Sequence, residues 1–227
     1  MNERYKHPRI YHVPWSLGLK NDDRMHPNMK IFDGVEVVVT EKMDGENTTM
    51  YNDAIHARSV DSQNANHPSR DRVKKMWGDI RYRIVDNMRL CGENLYAEHS
   101  IKYDNLDSYF YLFSVWFNTM SVPWRTVEHH AKEFGFSVPK ILYRGIYDEE
   151  KIKLLYKTNS VIDGKDEMVI DNNIVEGYVI RTANIIWHES DNPFCESYAK
   201  FVRKNHVQTD EHWLKTWNKT KINKLVE

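Results

Sequence analysis

A lysine that ends a β-branched run and stands two residues before Asp-Gly can serve as a nucleophile. In this chain it is Lys42, within Glu41-Lys42-Met43-Asp44-Gly45-Glu46-Asn47. A lysine amine attacks only when neutral, whereas its free pKa is about 10.4. Neighbouring cations, either a divalent metal or basic side chains, lower that value. Attack at phosphorus would also need positive charge around the phosphate and carboxylates to hold a hydrated Mg²⁺, which prefers oxygen ligands and keeps its waters. By itself Lys-x-Asp-Gly is expected by chance in roughly one chain in twenty. On its own it is more simply a hairpin turn with a lysine before it.

The elements that must position Lys42 can be read from pattern. Val35 to Val39 is a β-branched strand that runs into Lys42. Asp44-Gly45 then predicts a hairpin returning through Thr48 to Tyr51. A second turn at Asn52-Asp53 leads to a short strand ending near Arg58. Apolar residues at helical spacing from Val73 to Met88 predict an amphipathic helix within 68–88. Leu90 to Ala97 and Tyr109 to Phe117 read as strands. Pro123 opens a helix that Gly135 closes, and Tyr147 to Lys157 is a second short one with acids in its first turn. Val175 to Arg181 and Tyr198 to Arg203 are strands. Residues 1–30 read as an irregular N-terminal arm, and 207–227 as a C-terminal helix begun by Thr209-Asp210-Glu211.

Composition limits the options. The 227 residues suit one full-sized domain with its own core. With 32 basic and 33 acidic residues the net charge is −1, so a nucleic-acid partner would have to meet a local basic face. Such a face is offered by Lys200, Arg203, Lys204, Lys215, Lys219, Lys221 and Lys224, which describe a solvated surface equally well. Two cysteines in no paired motif, Cys91 and Cys195, fit a reducing compartment. No apolar run is long enough to span a bilayer, and the histidines have no zinc spacing. The expectation is a soluble, cytoplasmic monomer without a membrane partner.

Further groups follow Lys42 in order: His56-Ala57-Arg58-Ser59, Gly92-Glu93-Asn94-Leu95-Tyr96, Tyr111-Leu112-Phe113-Ser114-Val115, Glu176-Gly177-Tyr178-Val179-Ile180 and Tyr198-Ala199-Lys200-Phe201-Val202-Arg203. Together they resemble the six motifs of the covalent nucleotidyltransferase superfamily of RNA ligases, DNA ligases and capping enzymes. The similarity is greatest to the ATP-dependent RNA ligase group of the second phage T4 enzyme. The resemblance implies an α+β nucleotidyltransferase (ATP-grasp-like) domain, with antiparallel sheets lining an ATP cleft and helices flanking them. It implies a ligase joining RNA 3′-hydroxyl and 5′-phosphate ends through a lysyl-AMP intermediate, with ATP and Mg²⁺ or Mn²⁺ as cofactors. The partner would be RNA, as a nicked duplex or single-stranded ends, in the cytoplasm (of the host cell if phage-encoded).

The same resemblance assigns roles. Lys42 would carry AMP, within an ATP site made by Thr40, Glu41, Lys42, Arg58, Glu93, Phe113, Glu176 and Lys200. Phe113 would stack on adenine. Asp44, Glu93 and Glu176 would hold the metal, mainly through water. Asn47, Arg58, Arg203 and Lys204 would meet RNA phosphates. Two positions depart from the pattern: Val202 stands where the family usually has a second lysine, and Ser114 where relatives often have Asp. No oligonucleotide-binding-fold domain fits after the last motif, which argues against classical DNA ligases and capping enzymes. A compact DNA ligase, a capping-type guanylyltransferase and a non-catalytic nucleic-acid-binding relative are the alternatives.

Overall fold

The computed structural model describes residues 3–20, 22–60, 66–157, 168–170, 173–188, 191–204 and 221–226. Its strands are β1 (Arg9–His12), β2 (Glu36–Lys42), β3 (Glu46–Met50), β4 (Ile55–Ala57), β5 (Met88–Asn94), β6 (Phe110–Phe117), β7 (Met120–Ser121), β8 (Ile141–Ile146), β9 (Met168–Ile170), β10 (Asn173–Val175), β11 (Gly177–Thr182), β12 (Ile186–Trp187) and β13 (Phe194–Val202). Its α-helices are α1 (Asp71–Ile80), α2 (Trp124–Phe134) and α3 (Glu149–Lys157). The strands build a five-stranded sheet, β1-β13-β11-β2-β8, a six-stranded sheet, β12-β7-β6-β5-β3-β4, and a small β9-β10 ribbon. Few helices beside largely antiparallel sheets make this the α+β class that the sequence predicts.

Each large sheet covers its outer face with its own core, which leaves the inner faces free to form a cleft. Behind the five-stranded sheet, Val37, Val39, Tyr178, Ile180, Ala199 and Phe201 pack with Phe32, Ile152 and Met168. Behind the six-stranded sheet, Met50, Leu90, Phe110, Leu112 and Val115 pack with α1 and α2 through Val73, Ile80, Trp124, Val127 and Ala131. Val38 joins this second core from β2. The three valines of β2 are therefore buried on both faces, as a central strand requires.

The Asp44-Gly45 turn differs from expectation in a way that makes the site. It is not a hairpin. β2 pairs with β11 and β8, whereas β3 pairs with β4 and β5, so the chain crosses here from one sheet to the other. Gly45 permits the crossing, because a Cβ there would lie 2.5 Å from the Asn94 carbonyl oxygen. The Asn52-Asp53 turn, by contrast, is a true hairpin, with Tyr51 N donating to Ala54 O.

Other expectations shift for identifiable reasons. α1 ends at Ile80, and after a short 3-10 turn Ile84 goes extended. The helical spacing runs on to Met88 because Ile84 and Met88 enter the same core, so burial rather than hydrogen bonding sets the period. α2 keeps Pro123 at its start and Gly135 at its end, in the left-handed conformation at φ 73°. The N-terminal arm is not wholly irregular: Arg9–His12 adds to the sheet edge in parallel with β13. Most of the expected C-terminal helix falls outside the described residues. Residues 221–226 are extended, bridging Ala97 to Ile222 and Leu106 to Leu225. There the Asn223 amide donates to Leu95 O and Ala97 O and accepts from Tyr103 N, which fixes a non-helical path.

Candidate active site

The two inner faces enclose a cleft of about 840 Å³. Register dictates what enters it. On β2, Thr40 and Lys42 lie on the face opposite to Val37 and Val39; on β11 their partners are Val179 and Gly177, and on β13 Lys200 sits opposite Val179. From the other sheet, Asn47 and Glu93 are direct partners across β3 and β5. Phe113 reaches the cleft through a bulge. Cys91 pairs with Ser114 but Gly92 pairs with Leu112, so Phe113 is the extra residue and its ring is re-aimed inward.

Of the residues singled out by sequence, Thr40, Glu41, Lys42, Asn47, Arg58, Glu93, Phe113, Glu176 and Lys200 all line this cleft. Three do not. Asp44 is turned into the loop beyond β5, where its Oδ2 accepts from Ser100 N and Ile101 N, both at 2.8 Å. Arg203 is buried, its Nε donating to Val175 O at 3.0 Å, so its guanidinium serves the fold. Lys204 is exposed beyond the end of β13.

Lys42 Nζ donates to Glu176 Oε2 at 2.5 Å. Glu176 reaches it because the next residue, Gly177, pairs with Lys42 itself. A Cβ on Gly177 would run into the Phe201 carbonyl, so only glycine lets β11 pass there. Burial pulls the Lys42 pKa down, but the charges of Glu176, Glu93 and Asp44 outweigh it and the net shift is upward. Glu93 is pushed up to about 8, first by burial and then by the Glu176 and Asp44 charges, against the opposing pull of Lys42. Three acids thus surround one lysine.

At the far side Lys200 Nζ contacts Asp23 Oδ1 at 3.0 Å, and Asp23 Oδ2 lies 3.1 Å from His12 Nε2. Burial would raise the Asp23 pKa, but hydrogen bonds from His12 and Lys200 hold it well below the usual carboxylate range. Burial lowers that of Lys200, with the Lys42 charge adding to it and Asp23 opposing. At the closed end Arg181 donates to Phe113 O and Val122 O at 3.3 and 3.0 Å, tying β11 to the opposite sheet. Arg70 grips Glu46 in a bidentate, buried pair at the rim.

Sequence reasoning missed His7, Asp23, Glu46, Arg70 and Arg181. Only Arg181 had a readable signal, since alternation along β11 puts it on the same face as Val179. Among the described residues no three His, Cys, Asp or Glu side chains gather to chelate a bare metal ion. No described helix is long and apolar enough to cross a membrane.

A family model of RNA ligases matches residues 35–202, the span from β2 to the end of β13. The chain belongs to the RNA ligase family. Solved structures resemble this RNA ligase family member at low identity. An archaeal ATP-dependent RNA ligase aligns at TM-score 0.52 and 15% identity over 88% of this chain and 48% of its own. A putative ATP-dependent DNA ligase from Aquifex aeolicus gives 0.50 and 15% over 89% and 50%. A Naegleria gruberi RNA ligase mutant with ATP and Mn gives 0.47 and 16% over 92% and 58%. The chain therefore spans roughly half the length of the structures it matches. No curated protein matches it.

Proposed function

We propose that this chain is the nucleotidyltransferase domain of an ATP-dependent RNA ligase and that Lys42 is its nucleophile. The observation that carries the reading is the position of Lys42. It stands where the chain crosses between the two sheets, hydrogen-bonded to Glu176, with Glu93 lining the opposite wall. Membership of the RNA ligase family supports ATP and a divalent metal as the ligands.

In this reading Lys42 sheds its proton and its Nζ bonds to the α-phosphorus of ATP as the bond to pyrophosphate breaks. An oxygen of an RNA 5′-phosphate then displaces Lys42, and the RNA 3′-hydroxyl finally displaces AMP to close the phosphodiester. Phe113 stacks on adenine beside Val179. Thr40 and Glu41 flank the nucleotide, Asn47 and Arg58 bind phosphates near the rim, and Lys200 approaches the α-phosphate. Glu93 faces the ribose or metal waters. Glu176 and Glu93, two carboxyl groups beside one lysine, suit hydrated Mg²⁺ or Mn²⁺, whose charge would favour the ionised form of Glu93. Such an ion supplies positive charge that eases deprotonation of Lys42 and offsets charge on the phosphates. Lys204, exposed beyond β13, meets the RNA backbone in this reading.

The test is covalent labelling. Protein with Mg²⁺ and ATP radiolabelled in its α-phosphate should acquire AMP, and Lys42→Ala should acquire none. Absence of label on the native chain, or equal label on Lys42→Ala, overturns the reading. Nicked RNA, RNA–DNA hybrid and DNA duplexes offered to the labelled protein then identify the strand it seals.

A further inference from the structure

The N-terminal segment crosses the closed end of the cleft as a strap anchored on both sheets. On one side Arg4 pairs with Asp53 at 2.8 Å, and Tyr5 N donates to the Tyr51 hydroxyl at 2.8 Å, both on the β3–β4 hairpin. On the other side Arg9–His12 pairs with β13. His7 lies between the anchors, in the cleft wall. Its ring meets Phe113 edge-on, with centroids 5.1 Å apart, and Tyr198 at 5.7 Å.

The tautomer follows from its neighbour. Nδ1 lies 3.0 Å from Pro8 O. A carbonyl only accepts, so Nδ1 carries the hydrogen and Nε2 presents a lone pair. That Nε2 is buried and has no hydrogen-bond partner among the described residues. Burial, reinforced by the Arg89 charge, pushes the imidazole down to about 3, which keeps the ring neutral and Nε2 an acceptor. Buried polar atoms are nearly always paired, so an orphan acceptor in a ligand cleft indicates a donor that arrives with the ligand.

We infer that His7 Nε2 reads the edge of the nucleotide base, accepting a hydrogen bond from the 6-amino group of an adenine stacked on Phe113. The inference rests on the proposed ATP site and adds the residue that selects the base. Guanine would present a carbonyl oxygen at the same place, lone pair against lone pair. Purine riboside triphosphate, which has only hydrogen there, would leave Nε2 unpaired. The anchors on both sheets hold the acceptor in place before the base arrives, which is what discrimination by one hydrogen bond requires.

The experiment compares ATP with purine riboside triphosphate as donors for labelling Lys42. The native chain should favour ATP by about tenfold, the scale of one neutral hydrogen bond. His7→Phe, which keeps a ring against Phe113 but removes the acceptor, should bring the ratio close to one. An unchanged ratio in His7→Phe overturns the inference and leaves the ATP site standing. A native chain that takes no label from ATP overturns both. A second readout needs no variant: the nitrogen chemical shift of His7 Nε2 in the native chain should move on adding AMP and not on adding purine riboside monophosphate. Equal shifts with the two ligands, or none, would also sink it.

Discussion

Lys42 Nζ and Glu176 Oε2 meet at 2.5 Å across the register of β2 and β11, with Glu93 on the facing sheet. The lysine is therefore held in its charged form, the opposite of what a nucleophile needs. The acids raise its pKa in the unliganded protein, so on the proposed function the activating positive charge has to arrive with the metal. Glu176→Gln should then make Lys42 easier to deprotonate in chelator-treated protein. Competitive labelling with an amine reagent, read by mass spectrometry over pH 7 to 11, should show the Lys42 midpoint moving down. Reactivity at a fixed pH should rise on the order of tenfold for each unit moved. A midpoint that stays put would mean Glu176 does not hold the proton.

Glu46 and Arg70 form a bidentate pair with side chains only 10% and 9% exposed. It fastens the start of β3, directly after the crossing, to the residue that precedes α1. Removing one partner strands a buried charge, a loss of about 3 kcal/mol or more for Glu46→Ala or Arg70→Ala. The apolar double variant Glu46→Leu with Arg70→Met should lose less than either single one, because neither charge is left unpaired. Urea unfolding of the three variants and the native chain measures this. A double variant as unstable as the sum of the singles would contradict it.

How far the site was legible follows from these same residues. The ordered motifs put nine of the predicted side chains in one cleft because strand alternation is local, and the β11 and β13 patterns carry Val179 and Lys200 to one face. The Asp44-Gly45 step misled for a local reason as well. A turn signal says that the chain reverses but not which sheet it enters, and here β3 finds β5 instead of β2. Asp44 looked like a metal ligand because its partners, the amides of Ser100 and Ile101, lie more than fifty residues downstream. The strand β8 follows Pro139 and carries Arg144 and Gly145, so its composition gives no clean β pattern. His7, Asp23 and Arg70 had no readable signal, since each comes to the cleft wall, or in the case of Asp23 to a lysine that lines it, only through long-range pairing of segments that look irregular alone.

Glu93 supplies a pH signature. Its folded pKa of about 8 lies well above the value near 4.3 expected of an unfolded glutamate. The folded state keeps a proton that the unfolded state releases. The associated stability is fully present below pH 4.3 and is lost as pH rises towards 8. In chelator-treated protein, melting temperature should therefore fall across pH 5 to 9 more steeply for the native chain than for Glu93→Gln. Adding Mg²⁺ should flatten the native curve by favouring the ionised carboxylate. Parallel curves for the two proteins would show that Glu93 does not carry the effect.

Asp23 and Lys200 give the reverse sign. Asp23 is held ionised by Lys200 and His12, with its folded pKa below the unfolded value near 3.9. Its contribution is present above pH 3.9 and disappears as pH falls through the folded value. Asp23→Asn should cost roughly 1–2 kcal/mol near neutrality, after allowing for the water that reaches this partly exposed pair. Thermal unfolding of the two proteins should show a constant gap from pH 7 to 5 and a closing one below pH 4. Because Asp23 also occupies the ammonium that would approach the α-phosphate, the same variant should alter the concentration of ATP needed for half-maximal labelling of Lys42. A stability gap that already closes between pH 7 and 5, above the range in which the carboxyl titrates, would show that ionised Asp23 does not carry the effect.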